Sequence, residues 1–378
     1  MGYIIQDKIE ISLFFSGDEF PLNAYNSLSF LQIDISSKQA LPQVALSITD
    51  ASMFLSPNGY LQDAAPFSIV LKPTGSDVST TFNFRIYKFR EVKTVSGTRY
   101  QIDGFWDSLP YWLTTTSAGI RGTSDSVLSE IAASCGLRYS GTSTSDGQLW
   151  MPQNMTYAMW ARDLALHGYV SDKSLMVLGV DVIDSQAVML YRDFNAIQTT
   201  PITMSIGQQV PGEVSCADFR VHANAGPANK NSGYHQVRYL QSAIGPDQTP
   251  YQSMEVTPNS RSPLYSMDAR ATAKRGSFLY SGIDFGNVNP DSYEKGRYIN
   301  ARGAGLLSAK IDVMAINYTG IRLFDRINVV ARNESSNAEV DNAWSGLYTV
   351  TSLSYRIDTT NYSEVVEGYR DGTNVPEQ

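Results

Sequence analysis

The residue types best suited to chemistry are few in this chain, and their spacing argues against most of it. The three histidines, at 167, 222 and 235, stand in no HxH, HExxH or Cys/His spacing that would hold zinc. His167 closes an amphipathic stretch, where a cation is favoured by the helix dipole, and that role is expected of it rather than general base catalysis. Cys135 and Cys216 are the only cysteines, too few for a disulfide framework and not a C-x-x-C pair, so both are expected to be small buried hydrophobes. A serine nucleophile on an elbow needs G-x-S-x-G. Gly122-Thr123-Ser124-Asp125-Ser126 lacks the closing glycine and reads as a helix cap. Gly303-Ala304-Gly305-Leu306-Leu307-Ser308 is one residue short of a dinucleotide fingerprint and precedes a strand, where the fingerprint must precede a helix.

Carboxylates are plentiful, at 37 acidic residues, but the close pairs Asp181/Asp184 and Glu364/Glu367 are three apart on expected strands or turns. That spacing puts partners on opposite faces of a strand, where they cannot share a substrate bond. Asp146, Asp341 and Asn342 sit in turn-like segments without the dense oxygen spacing of a calcium loop. Trp106, Tyr111, Trp112, Trp150 and Trp160 suit a carbohydrate platform or a core, and at strand–helix junctions the core reading is preferred. No catalytic residue, metal ligand set or cofactor site is assigned. A hydrolase built on carboxylates distant in sequence leaves no local signature and stays open as an alternative.

The 378 residues, 42% hydrophobic and 17% charged, suit two or three domains of roughly 150 residues and exclude a disordered or collagen-like chain. A net charge of −8 gives no broad attraction to nucleic acid or anionic lipid. The longest apolar stretch, Leu175 to Val180, is far short of the roughly 18 residues of a membrane span, and the acidic start MGYIIQDKIE is no signal peptide, so a soluble, non-secreted chain is expected. Tyrosine is abundant, at 22, and Arg outnumbers Lys by 19 to 10, a bias shared with protein interfaces.

The elements that carry these residues are mostly strands. Residues 1–113 alternate with period two at Ile9/Ile11/Leu13, Val44/Leu46/Ile48, Phe67/Ile69/Leu71, Phe82/Phe84/Ile86 and Tyr100/Ile102, with turn chemistry between, and read as an all-β unit. Residues 114–196 read as a small α/β insert. One helix is capped by Ser124 and stopped by Gly136, a second is capped by Thr156 with Trp160, Leu164 and His167 on one face, and a hairpin turns at Asp184-Ser185. Residues 197–378 return to strands, ending in the alternation Leu347, Thr349, Thr351, Leu353, Tyr355 and Ile357, with Pro290-Asp291 opening a helix that Gly296 and Gly303 weaken. The stretch 241–290 is polar, rich in Pro, Ser, Gly and Asp, and reads as a long interaction loop whose candidate contacts are Tyr251 and Tyr265.

Several segments occur together in a telling order: Phe105-Trp106-Asp107-Ser108-Leu109, the run from Thr123 to Ala132, Gly136-Leu137, Met151-Pro152-Gln153-Asn154-Met155-Thr156 and Leu164-Ala165-Leu166-His167-Gly168-Tyr169. Later come Asp325-Arg326-Ile327-Asn328-Val329, the run from Ser345 to Leu353, and Tyr362. This set resembles the phage tail hub family, which includes the baseplate hub of contractile-tailed phages and the N-terminal part of type VI secretion spike proteins. The resemblance implies a mainly β fold, with two tail-tube-like β-barrel domains flanking the α/β insert, no enzyme activity and no cofactor. It further implies a homotrimer whose six tube-like units form a nearly sixfold ring between a hexameric tail tube protein and a central spike protein, beside other baseplate proteins. Strand edges would then pair across subunits, protecting them from aggregation. DNA would pass through the channel without specific binding, past a mildly acidic lumen, in a virion tail assembled in the bacterial cytoplasm. A carbohydrate- or receptor-binding tail protein, acting through the loop at 241–290, is the alternative.

Overall fold

The computed structural model describes residues 3–5, 8–23, 26–95, 97–206, 210–223, 236–240, 251–255, 278–280, 290–307, 309–332 and 344–370. Strands β1 (Tyr3–Ile5), β2 (Ile9–Phe15), β3 (Asp18–Phe20), β4 (Ser27–Ser36), β5 (Gln43–Asp50), β6 (Pro66–Pro73), β7 (Thr80–Thr94) and β8 (Gly97–Trp106) build the N-terminal β unit. Every residue of the five alternating sets is buried, so the period-two reading located this core correctly. The Ser16-Gly17 turn holds both residues at positive φ, the geometry that lets β2 fold straight back into β3.

The insert follows: α1 (Leu109–Trp112), β9 (Thr115–Thr116), β10 (Ile120–Gly122), α2 (Ser124–Ser134), β11 (Arg138–Gly141), β12 (Gln148–Trp150), β13 (Met155–Thr156), α3 (Tyr157–His167), β14 (Met176–Ile183) and β15 (Gln186–Asp193). Its main sheet is β11-β15-β14, with the Asp184-Ser185 turn at positive φ as expected of a tight hairpin. Thr156 caps α3 by accepting from the Met159 amide, and Gly136 ends α2 at a φ of 68°. The cap of α2 is Thr123, one residue before the expected Ser124. Thr123 accepts from the Ser126 amide, while Ser124 is fully buried and donates its hydroxyl to Asp146 at 2.6 Å.

The C-terminal part comprises β16 (Ile202–Ile206), β17 (Val214–Ala223), β18 (Gln236–Leu240), β19 (Tyr251–Glu255), β20 (Phe278–Tyr280), α4 (Pro290–Leu306), β21 (Ala309–Ala315), β22 (Arg326–Ala331), β23 (Gly346–Asp358) and β24 (Tyr362–Arg370). Strands β23-β22-β16-β17-β21-β24 close on themselves as a six-stranded barrel, and β18, β19 and β20 pair as a separate small sheet. The alternation read along β23 changes face midway. A bulge between Val350 and Ser352 leaves Leu347 exposed, Tyr348 and Val350 buried before it, and Leu353, Tyr355 and Ile357 buried after it. In α4, Gly296 permits contact, since a Cβ there would fall 1.7 Å from the His167 carbonyl oxygen at the end of α3. Asn300, one turn on, donates to the carbonyls of Leu166 and Gly168.

The mainly β fold class expected from the sequence holds, and the two β units are one pattern used twice. In chain order β4, β5, β6, β7 and β8 form the ladder β6-β7-β8-β5-β4, while β17, β21, β22, β23 and β24 form β22-β23-β24-β21-β17, all neighbours antiparallel. The registers coincide. The row Ile86, Gly104, Val44, Ile33 across β7-β8-β5-β4 has its counterpart in Val350, Gly368, Ile311, Val221 across β23-β24-β21-β17. Bulges recur at matching places, between Ile86 and Lys88 as between Val350 and Ser352, and between Leu28 and Phe30 as between Cys216 and Asp218.

Candidate assembly interface

The residues weighed for chemistry take structural roles. His167 is buried in the last turn of α3, stacks on the Tyr293 ring with centroids 3.4 Å apart, and donates through Nδ1 to the Tyr293 carbonyl at 2.9 Å. Asp146 is buried and accepts from the Ser124 amide and hydroxyl, the Tyr169 amide and the Thr144 hydroxyl, which fixes the start of α2. Cys135 is buried in the insert and its thiol is pushed up to about 12 by burial; Cys216, also pushed up to about 12 by burial and the nearby Glu364, is only half-buried on β17. Trp106, Trp112, Trp150 and Trp160 are core residues, while Tyr111 is exposed. Among the described residues no group of three or more His, Cys, Asp or Glu side chains is placed to hold a metal ion. No helix there is long and apolar enough to cross a membrane. Asp341, Asn342 and Tyr265 lie outside the described residues, and Tyr251 heads strand β19.

The close carboxylate pairs are split as their spacing requires. Asp181 is fully buried and accepts from the Val182 and Leu323 amides; burial pushes its carboxyl up, against those bonds and the Arg322 charge. Asp184 sits in the hairpin turn. Glu364 is fully buried and accepts from the Thr319 amide and hydroxyl, while Glu367 faces the other side of β24. Asp181 and Arg322, which donates to the Val182 carbonyl at 2.7 Å, pin the insert strand β14 to the loop ahead of β22.

The joint between the two β units is built on both faces of one strand pair. Strand β4 pairs antiparallel with β23 from Ser36↔Ser352 to Phe30↔Asp358, fusing both units into one 14-stranded sheet. On the inner face Leu31, Ile33 and Ile35 meet Leu353, Tyr355 and Ile357, none more than 1% exposed. The Tyr355 ring lies 5.9 Å from Phe82 of β7, so the joint reaches both cores. On the outer face Lys38 donates to Glu367 at 2.8 Å and to the Tyr369 hydroxyl at 3.2 Å, and Lys310 takes the other Glu367 oxygen at 2.7 Å. Burial disfavours the charged Glu367, but the hydrogen bonds from Lys310 and Lys38 prevail and hold its carboxyl below the ordinary value. Arg162 of the insert donates to the Lys38 carbonyl, closing the corner. Nothing in local spacing announces this joint, because it unites strands more than 300 residues apart.

No family model and no curated protein matches the chain. Solved structures do. A 43 kDa tail protein of prophage MuSo2 from Shewanella oneidensis has 10% sequence identity and a TM-score of 0.63, covering 96% of this chain and 98% of that one. A tail protein from Neisseria meningitidis MC58 has 8% identity and a TM-score of 0.61, covering 96% and 97%. The VgrG complex with PdpA from Francisella has 9% identity and a TM-score of 0.55, covering 99% of this chain and 55% of that one. The chain therefore shares the fold of these tail proteins, and of the VgrG complex, over nearly its whole length.

Proposed function

We propose that this chain is a structural hub of a phage tail, with residues 1–113, 114–196 and 197–378 as its three domains. Three copies form a ring of six similar β units, which joins a hexameric tail tube protein to a central spike protein among other baseplate proteins. The chain catalyses nothing. It matches one symmetry to another and leaves a channel through which DNA passes without specific binding once the spike has left. The observation that carries this reading is the duplicated ladder: two units of one register, fused edge to edge, give three chains six nearly equivalent positions. The shared fold with tail proteins supports it.

The test is particle imaging together with mass measurement on the chain bound to its neighbouring tail proteins. A threefold ring with a central opening and three copies is the expected result. A single copy per particle, or three copies without a ring, refutes the reading.

A further inference from the structure

The duplicated ladder also identifies which edges meet between copies, an inference that rests on the ring reading above. Inside the chain, the β4 edge of the first unit pairs with the β23 edge of the second. The counterpart of β4 in the second unit is β17, and the counterpart of β23 in the first unit is β7. Both counterparts have an open edge at the matching place. On the side of β7 away from β8, β6 covers only Thr80 to Arg85, and among the described residues no strand pairs there with Lys88 to Lys93. On the side of β17 away from β21, β16 covers only Val214 to Cys216, and among the described residues none pairs there with Asp218 to Ala223.

The side chains at these edges are less covered than their counterparts. Leu31 and Ile33 of β4 are fully buried, whereas Phe219 and Val221, at the same positions in β17, are half-buried. Leu353 is fully buried, whereas its counterpart Phe89 is 37% exposed; Val92, on the opposite face, is 41% exposed, as its counterpart Arg356 is exposed. An open edge leaves a row of unpaired amides and carbonyls that another strand can pair with, and on β7 Phe89 and Val92 stand among the charged Lys88, Arg90, Glu91 and Lys93.

We propose that β7 of one copy pairs antiparallel with β17 of a second copy, in the register that β23 and β4 adopt within the chain. The matching bulges convert one register into the other. Leu353↔Ile35, Ser354↔Asp34, Tyr355↔Ile33, Arg356↔Gln32 and Ile357↔Leu31 become Phe89↔Ala223, Arg90↔His222, Glu91↔Val221, Val92↔Arg220 and Lys93↔Phe219 between copies. Phe89 then lies beside Val221, on the face where Leu353 packs on Ile35, with Glu91 and Lys93 at the places of Tyr355 and Ile357. The contact is head to tail, so each copy donates one edge and accepts the other, as ring closure requires.

The experiment is disulfide trapping in the assembled ring. Opposed residues of antiparallel strands have Cα atoms about 4.5–5.5 Å apart, within the span of a disulfide. The exposed pair Val92→Cys with Arg220→Cys is expected to cross-link under mild oxidation into species of two and three chains that collapse on reduction, while each single variant does not. A ring that forms without this cross-link, or in which Val92→Cys traps His222→Cys instead, overturns the proposed pairing and leaves the ring reading standing. Absence of any ring overturns the ring reading itself and this inference with it. Hydrogen exchange on the unmodified protein is a second readout that needs no variant. Amides 88–93 and 218–223 are expected to exchange more slowly in the ring than in the free chain, and unchanged exchange at both edges counts against the pairing.

Discussion

The two β units share a ladder but differ in which edge is sealed. Among the described residues, in the first unit β4 is covered by β23 and β7 is left open beyond β6; in the second, β23 is covered and β17 is left open beyond β16. They differ in closure as well. Strand β16 runs parallel to both β17 and β22 and completes a barrel, whereas β2 runs antiparallel to β6 and has no ladder to β4. The lesson is that the five-stranded ladder with its bulges is the repeated framework, and that the sixth strand is free to differ. Conserving the bulges matters because each turns the strand's faces at the point where a neighbouring unit attaches.

The largest loss of stability is expected at the sealed joint. Tyr355→Ala removes a fully buried aromatic that touches both cores and is expected to cost about 3–5 kcal/mol of unfolding free energy. Phe89→Ala, at the open edge, is expected to cost about 0.5 kcal/mol in the free chain, as surface changes do. Denaturant midpoints of both variants check the contrast. Equal losses would mean that the open edge is covered within the chain itself.

A smaller effect distinguishes the interiors. Tyr100 and Glu364 occupy equivalent positions, since Gly104 matches Gly368 four residues away in each strand. Burial pushes the Glu364 carboxyl from 4.5 up to about 7, against the hydrogen bonds from Thr319 and Tyr362 and the charge of Arg322. A carboxyl whose folded pKa is raised keeps its proton longer in the folded chain. Its stabilising contribution is present below the unfolded pKa and is lost as pH rises toward about 7, a change on the order of 3 kcal/mol. Burial raises the Tyr100 hydroxyl above 10, so it adds no slope in that window. Unfolding midpoints at pH 4.5 and pH 8 are expected to show the wild type losing stability relative to Glu364→Gln, and Tyr100→Phe following the wild type. A wild type that gains stability over that range relative to Glu364→Gln refutes the assignment.

Much of this was legible in the sequence wherever order is local. Period-two alternation marked the inward faces of β2, β5, β6, β7 and β8, and Thr156 and Gly136 marked helix ends, because each signal is contained within a few residues. The α2 cap was displaced by one residue because Ser124 and Thr123 are chemically alike, and a contact to Asp146, 22 residues away, decides between them. That the chain has two β-rich ends is legible in its sequence, but their shared register is not, since the matching rows share only apolar character apart from Gly104 and Gly368. The assembly edges left no motif at all. An edge is defined by the neighbour a strand lacks, a property of the whole sheet, whereas the sequence signal for a contact points to the polar stretch around Tyr251 and Tyr265.

The smallest effect sharpens what holds the sealed joint. Lys38 bridges it by bonding Glu367 and Tyr369, and the short contact invites a large assignment of energy. Three facts argue for a small one. The Lys38 side chain is 61% exposed, so water screens the pair and competes for the ammonium. Glu367 keeps Lys310 when Lys38 is removed, so no buried charge is stranded. The inner face already seals the joint with six aliphatic and aromatic side chains. Lys38→Ala is therefore expected to cost about 0.5 kcal/mol, and the difference from wild type to vanish as salt is raised. Urea midpoints at low and high ionic strength measure it. A salt-independent loss of about 2 kcal/mol or more would mean that the charged outer face, not the apolar inner one, holds the units together. In that case Val92 and Arg220, on the outer face of the open edges, would outweigh Phe89 in assembly.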